Sequence, residues 1–309
     1  MATIGIDSSN YRSSAAFIDD SFNYLSKRKL LPVANGERGL RQSDAVFAHT
    51  KQLPGIVKEL LCEIDKASVK AIGVSDRPRR LNESYMPCFL TGVGLAEVLG
   101  AALDVPVFKF SHQEGHIAAA LLSANRLDLL KSRFIAFHVS GGTTEALLVS
   151  PADVGFKTEI IAKTLDLHLG QVIDRVGVKL GLDFPCGEEL EKLAINGKNP
   201  ISSKPCIKGL DCALSGAENI AEKLIKSGET SENIAAFAID FAAKTLCQMT
   251  IRVKNRFGDI PIVYSGGVMA NKYIKNELKK ITPADFASIE LSGDNAVGIA
   301  LLTKLSLEK

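Results

Sequence analysis

The chain has 309 residues, 46% of them hydrophobic, enough to bury a sizeable core and long enough to favour two domains of roughly 100–200 residues each. Its 37 Lys+Arg nearly cancel its 35 Asp+Glu, so any nucleic-acid contact has to come from a local basic patch and not from overall charge. Glycine (25) and proline (11) sit near average, which excludes collagen-like and low-complexity classes, and no apolar run approaches the ~20 residues of a membrane span.

In chain order, Thr3–Asp7 is a strand signal, followed by small polar residues 8–14 and a second apolar run, Ala15–Ile18. That pattern predicts two antiparallel strands joined by a polar turn. The N-terminus lacks a basic leader pattern, so a secretory signal is not expected. Apolar residues recur near helical period over Asp44–Asp65 despite Pro54, Val69–Val74 and Val105–Phe110 read as short strands, and Gly92–Leu103 reads as a helix. Strands alternating with helices indicate an α/β architecture. The second half repeats the device: strand Phe134–Val139, a turn Ser140-Gly141-Gly142-Thr143-Thr144, and a returning strand Glu145–Val149. A long helix over Asn233–Arg256 is apolar around most of its girth and is expected to be buried. Strand Ile262–Tyr264 leads through Ser265-Gly266-Gly267-Val268 into a helix over Asn271–Lys280. The boundary is expected near residue 108, giving an N-terminal lobe 1–108 and a C-terminal lobe 109–309. Residues 198–208 read as a loop. The six cysteines, at 62, 88, 186, 206, 212 and 247, form no CxxC pair, which points to buried thiols in a reducing cytoplasm.

Two sets of residues carry chemistry. Glycine and small polar turns leave backbone N–H groups unobstructed, and such concavities hold phosphate oxygens. The turns at 8–14, 140–144 and 265–267 therefore suggest a nucleotide clamped between the lobes. The second set is His112-Gln113-Glu114-Gly115-His116. Ser111 and Glu114 form an S-x-x-E capping box that starts a helix at His112. His112 and His116 then stand one above the other on a single helical face, a spacing that lets two imidazoles share a metal. Gln113 occupies the position where the HExxH metalloprotease motif has its general base, so that mechanism is excluded. Asp294 is the candidate third ligand, with N-capping of the final helix as its alternative role.

These residues resemble the tRNA threonylcarbamoyladenosine synthase family (TsaD-like, also described as glycoprotease or O-sialoglycoprotein endopeptidase). The resemblance runs nearly end to end, through Gly5-Ile6-Asp7-Ser8-Ser9, His112–His116, Val139–Thr143, Asp174-Arg175, residues 181–185, Leu210-Asp211 with Leu214–Gly216, residues 265–271 and Asp294-Asn295-Ala296. It implies a duplicated actin-like ATPase fold, shared with heat-shock chaperones and sugar kinases, with two lobes around a nucleotide cleft. It implies that His112, His116 and Asp294 hold one divalent metal, iron or zinc, and are the catalytic set. Val139, Ser140, Gly141 and Gly142, with Gly266 and Gly267, would hold ATP or an acyl-adenylate. Asp174, Gly187 and Asn271 match positions on the ribose and base side, and Glu191 matches a position often acidic in archaeal relatives. His138 stands where some relatives place a tyrosine near the metal; a fourth metal ligand and a plain strand histidine are both open.

The implied activity is transfer of a threonylcarbamoyl group from its adenylate to tRNA adenosine next to the anticodon, in the cytoplasm, with a TsaB-like helper subunit and a small ATPase. No membrane is expected as a partner, and a homodimer is left open. Three departures stand out. The family's first loop, Thr-Ser-Cys-Asp-Glu-Thr-Gly, is here Ser8-Ser9-Asn10-Tyr11-Arg12-Ser13-Ser14, a Gly-Pro-Gly stretch is Arg77-Pro78-Arg79-Arg80, and an Asp-Asp-Ala-Ala-Gly-Glu segment is residues 166–171 with two fewer carboxylates. They keep two alternatives in view: a divergent paralogue acting on another carbamoyl or phosphoryl acceptor, and a regulatory noncatalytic subunit. The complete histidine pair weighs against the latter.

Overall fold

The computed structural model describes residues 1–32, 40–81, 83–198, 201, 204–292 and 295–308. Packing divides the chain into two units, Met1–Leu130 with Pro151–Lys157 and Glu290–Lys309, and Lys131–Ser150 with Thr158–Ile289. In chain order the elements are β1 (Ala2–Ser9), β2 (Arg12–Ile18), β3 (Tyr24–Leu30), α1 (Gln42–Glu63), β4 (Val69–Arg77), α2 (Phe89–Leu103), β5 (Val107–Ser111), α3 (His112–Ser123), β6 (Phe134–Val139), β7 (Thr144–Pro151) and β8 (Phe156–Lys163). They continue with α4 (Leu169–Lys179), α5 (Gly187–Ala194), β9 (Cys206–Lys208), β10 (Asp211–Ala213), α6 (Ser215–Lys226), α7 (Ser231–Phe257), β11 (Ile262–Ser265), α8 (Lys272–Ile281), β12 (Asp285–Phe286), α9 (Ile289–Ser292) and α10 (Asn295–Leu307).

The first unit is built on a five-stranded sheet in the order β3-β2-β1-β4-β5. β1 runs antiparallel to β2 and parallel to β4, with Gly5 opposite Gly73 and Ile6 opposite Val74. Side chains alternate along a strand, and the two faces of β1 have different tasks. Ile4 and Ile6, with Ile72 and Val74 of β4, pack against Leu53, Ile56 and Leu60 of α1. Thr3, Gly5 and Asp7 face the other way, where Thr3 Oγ1 donates to the Ala300 carbonyl of α10 at 2.7 Å. A Cβ on Gly5 would lie 2.1 Å from the Ala296 carbonyl oxygen, and one on Gly73 would lie 1.8 Å from Thr303 Oγ1. Glycine is therefore required at both positions for α10 to lie flat on the sheet. α10 meets α3 in the same manner, since a Cβ on Gly298 would come 1.9 Å from the Gly115 carbonyl oxygen.

The second unit repeats this topology. Its five-stranded sheet, β12-β11-β6-β7-β8, read backwards, matches the first sheet strand for strand: β6 is antiparallel to β7 and parallel to β11, which is parallel to β12. The core of this unit is α7 against the sheet, with Phe237, Phe241, Leu246 and Met249 packed on Ile135, Phe137 and Tyr264. By length and composition α7 could cross a membrane, but it is mostly enclosed by its own unit. The expectation from apolar runs overlooked this helix as a span and was right that it is buried.

Several expectations need correction. The division does not fall at residue 108, because α3, with His112 and His116, and the C-terminal α10 pack with the N-terminal sheet. The first turn is only Asn10-Tyr11, because Ser8, Ser9 and Arg12–Ser14 lie within the paired strands. β3 and β8 were not foreseen, being outer strands of largely polar sequence. Cys88, Cys186 and Cys212 are buried, whereas Cys62 and Cys206 are exposed.

The close approach of α10 to α3 predicts opposite outcomes for two glycine substitutions. Gly298→Ala should lower the thermal unfolding midpoint, costing about 1–3 kcal/mol or more through overpacking. Gly55→Ala in α1, where the added methyl meets nothing within 4 Å, should raise it by up to ~1 kcal/mol through helix propensity. Melting followed by far-ultraviolet circular dichroism checks both, and a Gly298→Ala protein as stable as wild type would contradict the packing.

Candidate active site

α3 begins where the capping box places it. Ser111 Oγ accepts from the Glu114 N–H, and Glu114 Oε2 accepts from the Ser111 N–H at 2.8 Å. The helix thus starts at His112, and one turn later His116 follows on the same face, with the two rings edge to face at a centroid distance of 4.6 Å. His112 Nδ1 lies 2.8 Å from Asp7 Oδ1. A carboxylate only accepts, so Nδ1 carries a hydrogen, and in the neutral ring Nε2 is the nitrogen with the lone pair. Ser75 Oγ donates to the same Asp7 oxygen at 2.5 Å. Burial alone would raise the Asp7 pKa, but the charge of His112 and hydrogen bonds from His112, Ser75 and Ser9 outweigh it and hold the carboxyl below its usual range.

The opposite side of the pair is closed by Asn295, the first residue of α10. Its Nδ2 lies 2.9 Å from Nε2 of His112 and 3.2 Å from Nε2 of His116. Nδ2 is also 2.7 Å from Nδ1 of His112, a packing contact, because that nitrogen's hydrogen goes to Asp7. The Asn295 Oδ1 is buried without a hydrogen-bond partner. Two imidazoles on one helical face, with an orphaned amide oxygen beside them, are donor types that zinc and iron accept. The third expected ligand, Asp294, lies outside the described residues, and among those described no group of three His, Cys, Asp or Glu forms a metal cage.

Glu114 does more than cap. Its side chain is 1% exposed and accepts from Arg80 Nε at 2.8 Å and the Phe156 N–H at 2.9 Å, besides Ser111 Oγ at 2.7 Å. Arg80, part of the basic stretch that departs from the family pattern, thus has a defined partner, and Pro78 accepts from the Gln113 N–H at 3.0 Å. Gly155, in the left-handed region at φ +71°, has no room for a Cβ beside Glu114 Oε1. His49, in α1, was not singled out from sequence. It is fully buried, contacts Ser13 Oγ at 2.7 Å through Nδ1, and donates from Nε2 to the Ser9 carbonyl at 2.9 Å. It thereby fixes the first hairpin, and burial lowers its pKa.

The expected nucleotide residues gather in the second unit. In the turn after β6, the Ser140 N–H donates to the Thr143 carbonyl at 2.7 Å, and Ser140 Oγ accepts from the Gly142 N–H at 3.2 Å. The first turn of α4 abuts it, with the Gly170 N–H donating to the Ser140 carbonyl at 3.2 Å. A Cβ on Gly170 would lie 2.6 Å from the Gly141 nitrogen, whereas Cβ atoms on Gly141 and Gly142 would meet nothing within 4 Å. A glycine turn with open space before a helix N-terminus suits an anion. Gly266, at φ +101°, packs its backbone on Val139 and leads through Gly267 to Asn271. Asn271 caps α8 by accepting from the Ile274 N–H at 2.9 Å.

Nearby in sequence and contact, Glu191 of α5 accepts from the Lys272 N–H at 2.7 Å, and Asp174 of α4 accepts from the Cys186 N–H at 2.9 Å, next to Gly187. Burial raises the Asp174 pKa. His138 belongs to this unit; its Nδ1 donates to Ser265 Oγ at 3.1 Å, and that hydroxyl donates to the Phe137 carbonyl at 3.2 Å. Asp166 accepts from the N–H groups of Leu214 and Ser215 at the start of α6, and these bonds overcome burial to hold its pKa at about 2. The motif Leu214-Ser215-Gly216 thus has a structural partner.

The sequence model of the family described as "TsaD: tRNA N6-adenosine threonylcarbamoyltransferase" matches residues 34–301. The tRNA N6-adenosine threonylcarbamoyltransferase of Dictyoglomus turgidum is 30% identical over 91% of this chain and 84% of its own length. That of Methanopyrus kandleri is 25% identical over 97% and 86%. The chain spans 56% of a probable bifunctional tRNA threonylcarbamoyladenosine biosynthesis protein of Methanothermobacter thermautotrophicus, at 25% identity. Among solved structures, component A of the (R)-2-hydroxyglutaryl-CoA dehydratase of Acidaminococcus fermentans superposes over all of both chains with TM-score 0.56 at 15% identity. The ROK hexokinase of Thermus thermophilus gives 0.54 at 15%, over 100% of this chain and 99% of that one. At such identities these structures establish the actin-like fold alone. With the fold, the matched span and the full-length relatives in agreement, the chain belongs to the tRNA N6-adenosine threonylcarbamoyltransferase family, TsaD.

Proposed function

We propose that this protein transfers a threonylcarbamoyl group from its adenylate to N6 of a tRNA adenosine next to the anticodon, with one divalent metal held by His112, His116 and Asp294. The observation that carries the reading is the family match over residues 34–301. The two neighbouring imidazoles on one face of α3 support the metal. Iron and zinc both suit two imidazoles and a carboxylate. In this reading the nitrogen of the adenine amine forms a bond to the carbamoyl carbon. The bond from that carbon to the adenylate phosphate oxygen breaks, AMP departs, and the amine loses one proton.

When bound, the metal would act as a Lewis acid on the acyl carbonyl. The protein's own residues do the rest. Val139, Ser140, Gly141, Gly142, Gly266 and Gly267 receive the phosphate, whose charge suits the first turn of α4. Asp174, Gly187, Glu191 and Asn271 take the ribose and base side. His138, held through Nδ1 by Ser265, is assigned to the substrate. A tRNA, a TsaB-like helper subunit and a small ATPase are the partners, in the cytoplasm.

Three outcomes are expected. Given threonylcarbamoyl-adenylate, tRNA and the partner subunits, the purified protein should produce threonylcarbamoyladenosine, detected by mass spectrometry of digested nucleosides; no product under any metal loading would overturn the proposal. Gly141→Val should fold as wild type, because the space around Gly141 is open, yet weaken adenylate or ATP binding by 10-fold or more, about 1.4 kcal/mol. Calorimetry with unchanged affinity would remove the nucleotide from this turn. His116→Ala should keep the fold, since the capping box is untouched, and lose stoichiometric metal together with transfer, which elemental analysis and the same assay would reveal.

A further inference from the structure

We infer that Asp7 is a positioning residue for the histidine pair: its carboxylate holds His112 in the Nδ1–H form and so fixes the orientation of that ring beside His116 and leaves its Nε2 to act as a ligand. The inference rests on the reading of that pair as a metal site, and it assigns a function to a β1 carboxylate that the transfer chemistry leaves without one. Strand alternation puts Asp7 on the face of β1 that carries Thr3 and Gly5, toward α10 and α3. Its side chain is 2% exposed. Ser75, on the neighbouring β4, donates to Oδ1 at 2.5 Å, and the same oxygen receives His112 Nδ1–H at 2.8 Å.

A latch between β1 and β4 would need only Ser75. The bond to a ring on α3 orients that ring, and a carboxylate behind a ligating imidazole sets both tautomer and direction. Oδ1 takes both of these bonds, and Ser9 adds a further hydrogen bond to the carboxyl group. Asn295 Nδ2 packs against the same ring, 2.7 Å from Nδ1 and 2.9 Å from Nε2.

The test combines two readouts on the full chain. Nitrogen-15 spectra of histidine-labelled protein without metal, with His112 assigned through a His112→Gln variant, report the tautomer directly. Wild type should show hydrogen on Nδ1 and none on Nε2, and Asp7→Asn should lose this preference. Cobalt(II) titration, read by its visible absorption, should show affinity about 10–100-fold weaker in Asp7→Asn, partly regained in Asp7→Glu. Ser75→Ala should shift both readouts the same way by less, and it carries the comparison should Asp7→Asn fail to fold by circular dichroism. Hydrogen on Nε2 in wild type, or unchanged tautomer and cobalt affinity in folded Asp7→Asn, would overturn the inference. If wild type takes up no cobalt, the metal reading fails, while the tautomer measurement still decides what Asp7 does.

Discussion

Backbone contact without intervening side chains is the constraint on which the first unit depends. α10 lies on β1 at Gly5, on β4 at Gly73 and on α3 at Gly298 and Gly115, and at Gly5 and Gly298 a single Cβ would meet backbone closer than 2.5 Å. These approaches bring together residues nearly three hundred positions apart. They set Asn295, at the start of α10, against the imidazoles at the start of α3. Were α10 held away by an ordinary side-chain layer, interaxial spacing would grow and that contact would open. The placement of Asn295 against the imidazoles of α3 is therefore a consequence of small residues elsewhere.

The charges around α3 follow from the same enclosure. Asp7 and Glu114 are both nearly inaccessible carboxylates, a costly arrangement unless their oxygens are satisfied. Each is satisfied by a different set of donors. Glu114 takes two backbone N–H groups, a hydroxyl and the Arg80 guanidinium, and so fixes where α3 begins. Asp7 takes Ser75 and His112, and so fixes how the first ring is turned. One carboxylate meets the start of the helix and the other the ring of its first residue.

The elements readable from sequence were those with strong local signals. β6 was found to the residue because Phe134–Val139 is continuously apolar and ends at a glycine turn. The α3 start was found because Ser111 and Glu114 satisfy each other locally. The repeat of strand, turn and strand foretold the matching sheet orders of the two units. The outer strand β3 was not legible, since Lys27, Arg28 and Lys29 give it no apolar alternation and its pairing with β2 supplies what propensity does not. The division at residue 108 failed for a related reason: sequence order cannot show that α10 returns to the first sheet. In the site, the common helical face of His112 and His116 was legible from their spacing. Asp7, Ser75 and Asn295 were not, because their relation to His112 spans 105, 37 and 183 positions and is created by the fold. Arg80 looked like a departure and is the partner of a buried carboxylate.

The central claim is that the imidazoles of α3 form the metal centre of an acyl transferase. X-ray absorption on zinc-loaded protein tests it most directly. The account predicts imidazole scattering from at least two nitrogen ligands at about 2.0–2.1 Å, reduced by one imidazole in His116→Ala. A spectrum dominated by sulfur at about 2.3 Å, or one that His116→Ala leaves unchanged, would contradict it.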